Sequence, residues 1–88
     1  MKQIKLSGRE QAVLRAIGYG SGSTGPDIQT HTGIDTEDVI DILNGLFDVG
    51  YVEILPTADR VTARTFHDAH FEINPAYALQ LKDALRRN

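Results

Sequence analysis

Apolar residues recur at helical spacing in several stretches of this chain and alternate in one. Val13, Leu14 and Ile17 form one stripe and predict a first helix over 8–17, opened by Ser7 and Glu10 in the manner of a capping box. Thr24 with Asp27, and Pro26 in the first turn, open a second helix that ends at Thr32, with Ile28 and the following Ile34 as core contacts. Asp35 with Asp38 starts a third over 36–49. Its inner face is wide: Val39, Ile40, Ile42, Leu43, Leu46, Phe47 and Val49. Glu37, Asp41, Asn44 and Asp48 fall on the opposite stripe, at steps of four, three and four. Residues 51–55 have the types of a short strand, and Ala69, Phe71 and Ile73 alternate with His70 and Glu72 as in a strand that buries its odd-numbered side. Asn74-Pro75 begins a fourth helix running to Arg87, with Tyr77, Leu81 and Leu85 inward. Lys82, Arg86 and Arg87 lie near its C-terminal end, where the dipole favours cations.

The breaks between these elements carry their own signals. Gly33 suits a tight left-handed turn between the second and third helices, and Gly50 ends the third. Gly45 lies inside that helix, where glycine costs roughly 1 kcal/mol relative to alanine, and so points to close packing against another backbone. In residues 18–25, Gly20, Gly22 and Gly25 match G-x-G-x-x-G. That spacing follows a helix rather than a strand, and no Gly-Lys-Ser/Thr is present, so it reads as a connection, with Tyr19 as its anchor and room for a short strand. Residues 56–68 are expected as a long hairpin tip holding Arg60, Arg64 and His67 among threonines, and loops of this length are commonly functional.

The run T-x-x-x-I-x-x-x-T-G-I, then an amphipathic helix, then L-F-x-x-G-Y-V-E-I, resembles the winged helix-turn-helix superfamily. The resemblance covers most of the chain. It implies a mainly α, α+β fold across 1–88 as one domain: a three-helix core, a two-stranded β-hairpin wing and a C-terminal helix. It also implies that the helix after the Gly33 turn enters the DNA major groove. Here that helix, with its cap, carries five acids and no Lys or Arg.

Charge sharpens that conflict. The net charge is −3, yet no Lys or Arg occurs between Arg15 and Arg60, and eight acids fall in that interval. Both ends of the chain are net basic. Two functions follow. One is a small transcriptional regulator that contacts double-stranded DNA mainly through its wing and termini, with Lys2, Lys5, Arg9, Arg60, Arg64 and His67 as contact residues. The other is a protein-interaction module whose Glu37, Asp38, Asp41, Asn44 and Asp48 meet a basic partner.

Other classes fit poorly. The chain has no cysteine, no nucleophile elbow and no pair of carboxylates in an obvious cleft, so no catalytic residues and no cofactor are expected. His67 and His70 lack a second cluster that would complete a metal site, and His31 is expected to do no more than suit a helix end. No apolar run reaches membrane-spanning length and the N-terminus lacks a signal-peptide core, so a cytoplasmic protein with no membrane partner is expected. The oligomeric state stays open, a homodimer included.

Overall fold

A computed structural model describes residues 4–18 and 22–87. The first two helices form as their caps direct. In α1 (Gly8–Ile17) the Ser7 hydroxyl accepts from the Glu10 amide at 3.1 Å, and the Ser7 amide donates to Glu10 Oε1 at 2.8 Å. In α2 (Gly25–Thr32) Thr24 and Asp27 exchange the same pair of bonds. Gly33, left-handed at φ 70°, turns the chain into α3 (Thr36–Asp48), and its amide closes on Gln29 O at 2.8 Å. At Asp35 the expectation fails. It occupies the N-cap with extended backbone but makes no side-chain cap bond, and Asp38 reaches Arg9 instead. Tyr19 and Gly20 lie outside the described residues, so neither the anchor nor the glycine spacing is addressed.

Three strands form one antiparallel sheet in the order β1 (Ser23–Thr24), β3 (His70–Ile73), β2 (Val52–Leu55). Val52 pairs with Ile73 and Leu55 with His70, while Ser23 pairs with Phe71. Alternation is as expected: Phe71 and Ile73 are buried, His70 and Glu72 half-buried. A 3-10 turn (Pro75–Tyr77) leads into α4 (Ala78–Arg87). Asn74 caps that turn through Oδ1 and donates from Nδ2 to Gly50 O at 2.7 Å, which ties the end of β3 to the end of α3. Leu81 and Leu85 reach the core. Tyr77 does not. It sits on the rim, edge-on to Tyr51 with ring centroids 5.1 Å apart. Arg15 is exposed yet donates to Leu85 O at 2.9 Å and satisfies a carbonyl in the last turn of α4.

The largest departure from expectation is the connection between β2 and β3. Instead of protruding, it folds back. Val61, Phe66 and Ala69 are 2%, 1% and 5% exposed and belong to the same core as Val13, Leu14, Leu43 and Phe71. Between them Thr62 and Thr65 close a compact turn, with the Phe66 amide donating to Thr62 O and the Ala69 amide to Thr65 O, each at 2.9 Å. Apolar residues at irregular intervals carry no period, so the sequence shows no element there, although each one has somewhere to be buried. The architecture is mainly helical α+β with a small antiparallel sheet, an arrangement compatible with a winged helix.

Candidate interaction face

The exposed side of α3 is the candidate site. Val39, Leu43 and Leu46 point into the core and fix the rotation of the helix. That rotation leaves Glu37, Asp41, Gly45 and Asp48 facing outward. Asn44 departs from its expected place on the solvent stripe. Seven residues after Glu37, it falls two turns along the same line, yet it is only 7% exposed. The β2–β3 connection covers it. Asn44 Nδ2 donates to Val61 O at 2.9 Å and the Val61 amide donates to Asn44 Oδ1 at 2.8 Å, so the amide side chain is used up inside the fold. The sequence offers one faint signal for this: it is the only amide among the carboxylates of that stripe.

The two sets of candidate residues meet each other. Arg9 of α1 reaches Asp38 at 3.1 Å, and Arg60, placed just before the clamped Val61, reaches Asp48. Two arginines expected to contact phosphate are therefore paired with two of the acids that would repel it. Both pairs are open to solvent, with side-chain exposures of 63% and 46% for Arg9 and Asp38, and 58% and 47% for Arg60 and Asp48. Pairs this open contribute at most about 1 kcal/mol, so either could be exchanged for a stronger partner. Glu37 and Asp41 are exposed and make no ion pair with a described residue. The same holds for Lys5 and Arg64. Lys2 lies outside the described residues.

The histidines do not converge. His67 is exposed and stands edge-on to Phe66, His70 Nε2 is 3.7 Å from Glu72 Oε2 across the face of β3, and His31 is exposed in the last turn of α2. Among the described residues no three His, Cys, Asp or Glu side chains are grouped to hold a metal ion. Two hollows among the described residues are shallow and open. One of about 200 Å³ lies between the end of α3 and β2, lined by Phe47, Val52, Ile54, Leu55 and Asn74 among others. A second of about 330 Å³ lies between α1 and α2, beside Arg15 and His31. No described helix is long and apolar enough to cross a membrane. Comparison with known protein families, with curated proteins and with solved structures finds no match to this chain.

Proposed function

We propose that this chain is a winged helix-turn-helix module that binds another protein, with the acidic face of α3 as its contact surface and a basic surface on the partner. One observation carries the reading. Glu37 and Asp41 stand exposed without an ion pair to any described residue, while Arg9 and Arg60 are paired with Asp38 and Asp48. An outward face of this composition attracts cations and repels phosphate. Acids placed opposite a basic surface raise the association rate and exclude partners of the wrong sign.

Binding to double-stranded DNA, as a small transcriptional regulator, is the second reading. What favours it is the placing of Arg9 and Arg60 at the two ends of α3, ten residues apart at Asp38 and Asp48, or about 15 Å at 1.5 Å per residue. That span is comparable with a major groove about 12 Å wide. Lys5 and Arg64 would add phosphate contacts.

One pair of experiments separates the two. The purified protein is titrated with random duplex DNA at low salt, and partner capture is compared between wild type and Glu37→Lys/Asp41→Lys. Any captured partner is then purified and its affinity measured. On the protein reading, DNA binding is absent, the double reversal lowers partner affinity at least tenfold, and the melting temperature is unchanged. Duplex binding that falls steeply with salt, and flattens in Arg60→Ala/Arg64→Ala, would sink the protein reading and establish the other.

A further inference from the structure

Among the described residues nothing packs on Gly45 to require a glycine. It is exposed in the interior of α3, and a Cβ built there meets no described atom within 4 Å beyond its own helix backbone and chain neighbours. This overturns the expectation of close packing inside the fold. Its backbone is not left-handed, unlike that of Gly18, Gly22, Gly33 and Gly50, and the helix continues through it, with the Val49 amide donating to Gly45 O at 3.3 Å. An exposed mid-helix glycine lowers helix stability and packs nothing, so what it offers is a gap in the surface.

The rim of that gap has a definite chemistry. Side chains three and four positions away are its neighbours on the helix surface: Asp41 and Ile42 before it, Asp48 and Val49 after it. Asp41 and Asp48 are exposed, Ile42 is half-buried, and Val49 is 56% exposed although it lies on the apolar side of the sequence pattern. A bare spot between two carboxylates and two aliphatic side chains matches a lysine or arginine whose methylenes lie on Ile42 and Val49 while its charge reaches Asp41, or reaches Asp48 by displacing the exposed, weakly held Arg60. A missing side chain also lets a second backbone approach more closely than the usual 8–10 Å between helix axes.

We propose that a helix of the partner, bearing lysine or arginine, crosses α3 at Gly45 and seats a basic side chain between Asp41 and Asp48. This rests on the protein-binding reading and places its contact point. The probe is a synthetic amphipathic helix of leucine and lysine, with its leucine–glutamate counterpart and random duplex DNA as the other arms, added to isotope-labelled protein. The lysine peptide is expected to shift amides centred on 41–49, and the other two arms to leave them in place. Gly45→Ala should raise the melting temperature by about 4–8 °C and weaken the lysine peptide about tenfold, with Gly45→Gln weakening it further. Stability and binding then move in opposite directions, which a purely structural glycine would not produce. If Gly45→Ala binds the peptide as wild type does while Glu37→Lys/Asp41→Lys abolishes binding, the contact point is wrong and the protein-binding reading stands. Failure of wild type to bind the lysine peptide, or DNA shifting the same amides, would overturn both.

Discussion

Gly25→Ala should cost the protein roughly 2–4 kcal/mol and lower its melting temperature by about 10–20 °C. The added methyl would collide with the Phe66 carbonyl oxygen and come within 2.7 Å of the Phe66 ring. Neither can give way. The ring is 1% exposed in the centre of the core, and the carbonyl belongs to a turn already closed by the Phe66 amide on Thr62 O. Gly25 is therefore the site at which the start of α2 lets the β2–β3 connection lie down on the core. Phe66→Ala alone should cost about 3–5 kcal/mol through the cavity it leaves. Combined with Gly25→Ala, the loss should be less than the sum, because the vacated ring space receives part of the new methyl. Urea unfolding of the two single variants and the double variant measures all three terms. A Gly25→Ala protein within about 0.5 kcal/mol of wild type would show that the connection does not sit against α2 as described.

Asn44→Ala is the second large loss, about 2–4 kcal/mol. Truncation removes two hydrogen bonds and leaves the amide and carbonyl of Val61, a residue 2% exposed, without their partners. Asn44→Asp keeps the acceptor for the Val61 amide but faces the Val61 carbonyl with an oxygen, so it should be no milder than the alanine. The neighbouring acids supply the contrast. Asp41→Ala, one turn earlier on the exposed face, should change stability by no more than about 0.5 kcal/mol. Hydrogen exchange gives the local readout: in Asn44→Ala the amides of Val61, Phe66 and Ala69 should lose protection ahead of those in α1. Uniform loss of protection across the chain would mean that Asn44 does not clamp that segment in particular. Because Arg60 precedes Val61, releasing the clamp should also free Arg60 from Asp48 and leave α3 more acidic.

Much of the frame was legible in the sequence because it is set by short-range rules. The caps at Ser7 and Thr24, the turn at Gly33, the end at Gly50 and the alternation of Ala69, Phe71 and Ile73 depend on residues a few positions apart, and the structure has each of them. Asp35 shows where that reasoning stops. Its partner Asp38 was drawn away by Arg9, twenty-nine positions earlier, and no local pattern announces such a competitor. Tyr77 is similar: the helical period put it inward, but a 3-10 turn at the start of the segment changed its direction.

Sequence by itself determined which residues are charged, that α3 would offer acids and no cations, and where the first three helices begin and end to within a residue. Those properties belong to single residues or to neighbours along the chain. Tertiary structure alone decided which of those charges still seek a partner. Arg9 and Arg60 were brought to Asp38 and Asp48 from α1 and from the β2–β3 connection, while Glu37 and Asp41 were left without an ion pair among the described residues. It also decided that Asn44 is buried under Val61 and that Gly45, one residue on, stands open. The reason is physical: helical spacing assigns a direction to every side chain, but what lies in that direction depends on segments distant in sequence that fold over it.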